Sequence, residues 1–142
     1  MNAKFEFTGE VNALGLKRIR AKIAIGISVK AGDLGGWIEN EDNVAPTGDA
    51  WVYGNAWVSG NAWVYGDAHI FVVGPVGSRD AYLTATVDAK IGIRISTGCF
   101  SGSLSEFRAE VKKTHGADSF HGRMYMGIAN LIALKFNAEI EA

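Results

Sequence analysis

The sequence predicts a mainly β protein with a C-terminal α+β module. Three features predict it: alternating apolar residues near the start, a strict six-residue repeat in the middle, and a strand–strand–helix–helix signature after Gly74-Pro75. At 142 residues the chain is long enough to bury a core without staples, and its single cysteine, Cys99, excludes an internal disulfide framework.

Residues 1–33 are expected to form N-terminal strands that cap the rest. Phe5 and Phe7 alternate as strand residues do. Leu16, Ile19 and the apolar run from Ile23 to Val29 supply cover for one end of the repeat.

Residues 34–73 carry the repeat. Its unit is Gly-(Asp/Asn)-Ala-(Trp/His)-(Val/Ile)-(Tyr/Ser/Phe), starting at Gly48, Gly54, Gly60 and Gly66. Strict spacing of this kind marks a solenoid. Side chains alternate along a strand, so Ala50 with Val52, Ala56 with Val58, and Ala62 with Val64 share an inner face. They are small or branched enough for a narrow interior, and Gly with Asn or Asp supplies the bends. Leu34 to Glu39 aligns as a degenerate unit, and Asp42 to Thr47 as another after a two-residue insertion at Asn40-Glu41. The expected architecture is a short left-handed parallel β-helix of about two coils. A β-meander competes, with Gly-Asn and Gly-Asp as hairpin turns. Asn-Gly would be the stronger hairpin signal, and here the order is reversed.

In that geometry Trp51, Trp57 and Trp63 alternate away from the Ala/Val face and point outward. Stacking of successive coils would set Trp37 near Trp57 and Trp51 near His69. These five residues form a candidate collar for partner docking or self-association, unless a flanking segment covers them.

Residues 74–142 read as a β-hairpin followed by two helices. Tyr82 to Val87 and Ile91 to Ser96 are the strands, joined at Asp88-Ala89-Lys90. Ser103-Leu104-Ser105-Glu106 is a capping box opening a helix with Leu104, Phe107 and Val111 on one face, and Gly116 closes it. A second helix starts near Ser119 and buries Tyr125, Ile128, Ile132 and Phe136.

Candidates for chemistry are few. Gly98-Cys99-Phe100-Ser101-Gly102-Ser103 reads as a loop before a helix N-terminus, where free amides and hydroxyls suit a phosphate. Arg94 and Arg79 are the available counter-charges, and His115 is a further ligand-binding candidate. Cys99 with His115 or His121 has neither a zinc nor a protease spacing, so no catalytic residue, metal or cofactor is expected, and Cys99 reads as structural or ligand-lining.

Charge adds a bound on partners. Residues 1–30 set Lys4, Lys17, Arg18, Arg20, Lys22 and Lys30 against Glu6 and Glu10. Residues 31–71 hold Asp33, Glu39, Glu41, Asp42, Asp49 and Asp67 with no Lys or Arg. An acidic repeat and a formal net charge of −1 disfavour nucleic acid and anionic membranes. No stretch has transmembrane length, and the start lacks an apolar signal-peptide core, so a cytoplasmic setting is expected.

The segments "RIRAK", "VKAGDLGGWIENEDNVA" and "GDAWVYGNAWVSGNAWVYGDA", with the tail "TGCFSGSLSEFRAEVKKTHG", resemble a group of small phage and prophage hexapeptide-repeat proteins. These are labelled polymer-forming or left-handed β-helix proteins by analogy with bactofilins. The resemblance spans nearly the whole chain, departing at Ala24 to Ser28, where relatives are more polar. It implies the fold and a bacterial host cytoplasm, but no activity. Three function classes follow. One is a non-enzymatic phage accessory protein that self-associates, most simply as a dimer, and binds a host protein, for instance as a counter-defence inhibitor. Another is a binder that sequesters a small molecule or nucleotide. The third, an acyltransferase of the hexapeptide type, has only His69 within the array and is the weakest.

Overall fold

The computed structural model describes residues 2–64, 69–77, 81–98 and 100–137. Among the described residues the chain is mainly β, with two four-stranded sheets and two C-terminal helices. The first sheet runs β1 (Phe5–Val11), β2 (Lys17–Ala21), β3 (Leu34–Ile38) and β4 (Trp57–Val58) in spatial order. β1, β2 and β3 pair antiparallel, whereas β3 and β4 pair in parallel.

That parallel pairing links repeat units along the chain. Trp37 lies beside Trp57, Ile38 beside Val58 and, in an isolated bridge, Val44 beside Val64. All three pairs share one offset, three units of six plus a two-residue insertion. Because Val44 keeps this offset, the insertion lies after Ala45, at Pro46-Thr47. The expected placement at Asn40-Glu41 is thereby corrected. Pro46 has no N–H to give a ladder, which suits an exposed residue outside the strands. The inner row is as the alternation requires: Ala50, Val52, Ala56, Val58, Ala62 and Val64 are all buried. Fourth-unit residues Gly66, Asp67 and Ala68 lie outside the described residues.

Two buried polar side chains tie this region together. Asn43 donates to the carbonyls of Ala62 and Gly60 and accepts from the amides of Glu39 and Asn40. Lys4, 2% exposed, donates to the carbonyls of Ala45, Thr47 and Ala50 at 3.1, 3.4 and 2.6 Å. Its burial lowers the ammonium pKa, and the charge of Asp49 acts the other way. The N-terminal strands pack against the repeat, with Phe5, Ile19, Ile25 and Val29 in one core with its Ala/Val row.

The second sheet is an antiparallel meander of β5 (Ile70–Val76), β6 (Ala81–Asp88), β7 (Gly92–Thr97) and β8 (Phe100–Ser103). Helices α1 (Leu104–His115) and α2 (Phe120–Lys135) follow. The hairpin and both helices match expectation, but β5 and β8 were not expected. β5 straddles the expected boundary at Gly74-Pro75. Its proline is tolerated because β5 is an edge strand with a register shift between Val73 and Val76. β8, Phe-Ser-Gly-Ser, has the composition of a loop but pairs with β7 as the other edge.

β6 is buried from both sides. Leu83 and Ala85 join Ile95, Phe107, Val111, Ile128 and Ile132 in a core beneath the helices. Thr84, Thr86 and Asp88 alternate to the opposite face, where the Trp57 amide donates to Thr84 Oγ1 and the Trp63 amide to the Val87 carbonyl. The second sheet thus lies between the repeat and the helix pair.

Candidate functional site

The hairpin β7–β8 separates two groups of sequence-predicted residues. Arg94, Ser96, Ser101 and Ser103 alternate toward the repeat, because Arg94 pairs with Ser103 and Ser96 with Ser101. Thr97 and Phe100 pair on the other register, toward the helices. The expected loop-borne anion cluster is therefore divided by the sheet itself. Arg94, Ser101 and Ser103 are not brought together with His115, while Gly98 and His115 do come together. Arg79 and Cys99 lie outside the described residues.

On the repeat side, Arg94 is a strut. Its Nε donates to Asp88 Oδ2 at 2.7 Å and its Nη1 to Ser101 Oγ at 2.8 Å. Gly60 of the repeat packs so closely that a Cβ there would lie 2.6 Å from the guanidinium. Burial pushes the Asp88 carboxyl up. The hydrogen bond from Arg94, the amides of Lys90 and Ile91, and the Arg94 charge outweigh it and leave the pKa below the ordinary carboxylate value. Ser103 Oγ accepts from the Glu106 amide while the Glu106 carboxylate accepts from the Ser103 amide. The α1 N-terminus is thus closed by its own capping box rather than open to an anion.

On the helix side lies a cavity of about 240 Å³, lined by Thr97, Gly98, Phe100, Phe107, Glu110, Val111, Thr114, His115, Tyr125 and Ala81. Helical spacing explains the wall: Phe107, Glu110, Val111 and Thr114 stand at i, i+3, i+4 and i+7 along α1. The rings form a chain. Phe100 meets Phe107 edge-on with centroids 5.7 Å apart, Phe107 meets Tyr125 at 5.9 Å, and His115 stacks on Tyr125 at 5.4 Å. Tyr125 is held from behind, since a Cβ at Gly77 would overlap its hydroxyl. Glu110, Thr97 and Thr114 add polar groups to an otherwise apolar lining.

The tryptophans divide three ways. Trp63 is 47% exposed, Trp57 and Trp37 are half-buried, and Trp51 is 1% exposed. For Trp51 the covered alternative holds: its ring lies against Gly35, where a Cβ would stand 2.7 Å from Trp51 Cζ2 and 2.8 Å from Ile19 Cγ1. The N-terminal sheet covers it. His69 is half-buried just before β5. Trp37 and Trp57 pair as expected, and Arg18 sits 5.5 Å above the Trp37 ring.

His115 and His121 have ring centroids 5.7 Å apart, but among the described residues no three His, Cys, Asp or Glu side chains gather to hold a metal ion. Among the described residues no helix is long and apolar enough to cross a membrane. Sequence reasoning missed Phe100, Glu110 and Thr114 as lining residues. Glu110 and Thr114 flank the apolar stripe of α1, and that adjacency was the available signal. No protein-family model, curated protein or solved structure matches this chain.

Proposed function

We propose that the protein is a non-enzymatic binding protein that takes one flat, unsaturated heterocycle, of nucleobase type, in the aromatic cavity between β8, α1 and α2. The observation that carries this is the chain of Phe100, Phe107, Tyr125 and His115 around a space of about 240 Å³ with Glu110 at its wall. Ring faces stack on planar ligands, and a carboxylate accepts from an exocyclic amine. The volume is below the roughly 300 Å³ at which drug-sized sites begin. One ring system fits, and the sugar or phosphate of a nucleotide would stay outside.

The shared offset of the three parallel pairs and the buried Ala/Val row support a short left-handed β-helix for the repeat. The phage-type resemblance and a bacterial host cytoplasm go with it as parts of the proposal. A second reading, docking of a basic host-protein segment, is favoured by Trp63, exposed beside Glu41 and Asp42 around a surface hollow.

Thermal melting against adenine, guanine, their nucleosides and cyclic nucleotides tests the first reading. A ligand at a hundred times its Kd stabilises the folded state by about 2.7 kcal/mol, a rise of roughly 5–10 °C at this size. That rise is expected for the native chain and should vanish in His115→Ala and shrink in Glu110→Gln. No shift with any heterocycle at millimolar concentration would remove the proposal.

A further inference from the structure

We propose that α2 pairs antiparallel with α2 of a second copy, through a stripe separate from the cavity and independent of what the cavity binds. On its inner side α2 packs Ile128, Ala129, Ile132 and Ala133 into the core. Its outer side carries a second apolar stripe, bordered by the exposed Arg123 and Lys135. Phe120 is 70% exposed, Met124 41%, Leu131 55% and Leu134 60%. With the exposed Gly127 these residues recur at steps of four, three, four and three, the spacing of a coiled-coil seam.

Gly127 points to another helix as the occupant. A glycine inside a helix costs about 1 kcal/mol relative to alanine. Elsewhere on α2 such a cost has a local reason: a Cβ at Gly122 would strike the Gly116 carbonyl. At Gly127 a Cβ would meet nothing within 4 Å, so packing within the chain does not require it. At the centre of the stripe it permits close approach of a second backbone.

Charge selects the direction of such a pair. α2 carries Arg123 and Lys135 and no acidic residue. A parallel pair would oppose Arg123 to Arg123 and Lys135 to Lys135. An antiparallel pair centred on Gly127 sets Arg123 near Leu131 and Phe120 near Leu134, which is self-complementary under a two-fold axis. The exposed stripe offers on the order of 400 Å² of side chain per copy, within the range of the largest and often functional apolar patch of a monomer. Two copies bury about 800 Å² of stripe, and flanking polar side chains must supply the rest of the roughly 1,200 Å² of a specific interface.

Sedimentation equilibrium of the full chain from 1 to 200 μM tests this. A concentration-dependent dimer is expected. Leu131→Lys, counted twice across the axis, should raise its dissociation constant by about tenfold or more. Gly127→Leu should do the same while raising the melting temperature at a dilution where both chains are monomeric, because leucine is the better helix former. That opposite pair of effects separates interface loss from misfolding. A strict monomer throughout the range overturns the proposal. So does a dimer indifferent to both substitutions, or a monomer that instead captures a different protein on this stripe.

Discussion

Lys4 and Asp88 show how single polar residues hold this chain together. Lys4 reaches three carbonyls of the repeat from beneath the N-terminal strands. Lys4→Met keeps much of the aliphatic stem but leaves those acceptors unmet. Loss of a charged hydrogen-bond donor predicts about 2–4 kcal/mol of destabilisation, read by urea unfolding. Asp88 is fully enclosed and carries the salt bridge to Arg94. Asp88→Asn keeps an acceptor for the Lys90 and Ile91 amides and loses the charge. It should cost about 1.5–3 kcal/mol near neutral pH. The sign with pH follows from the depressed carboxyl. The stabilisation is complete above the ordinary unfolded value of about 4 and is lost as pH falls through the lower folded value. The stability gap between the native chain and Asp88→Asn should therefore close in acid. A gap that stayed constant below pH 4 would contradict the linkage.

At the scale of the elements, glycine and tryptophan act as a pair. Gly35 in β3 is the space into which the Trp51 ring fits. Gly35→Ala forces its Cβ against that ring, Ile19 and the Val52 carbonyl, so overpacking of about 1–3 kcal/mol is expected from denaturant melts. In the native chain, acrylamide should quench Trp63 and spare Trp51, and Trp63→Phe should remove most of the quenchable emission. The inner row of the repeat, the hairpin and both helices were legible because each is set by local periodicity or by a cap. Trp51 was not. Alternation places its side chain away from the Ala/Val row, but the long-range arrival of Phe5, Ile19 and Gly35 decides whether that side meets water. β8 was illegible for a related reason: Phe-Ser-Gly-Ser has weak strand propensity, and pairing with β7 overrides it. Its pairing also divided the candidate site, since residues adjacent in sequence on a strand face opposite layers. Arg94 and Ser101 went to the repeat side and Gly98 to the helix side.

At the scale of the whole molecule, a four-stranded sheet separates a polar junction from an aromatic cavity. The repeat is braced through Arg94, Asp88, Thr84 and the Trp63 amide, and the helices bring Phe107 and Tyr125 to the cavity beside Phe100. On the proposed function, cohesion belongs to one face of this sheet and binding to the other. The most direct test of that assignment is a ¹H–¹⁵N NMR titration of the native chain with adenosine and guanosine. Saturable shifts should gather at Thr97, Gly98, Glu110, Thr114 and His115, with Ser101, Ser103 and Asp88 unmoved. Shifts centred instead on Arg94, Ser101 and Ser103, or none at millimolar nucleoside, would contradict the account.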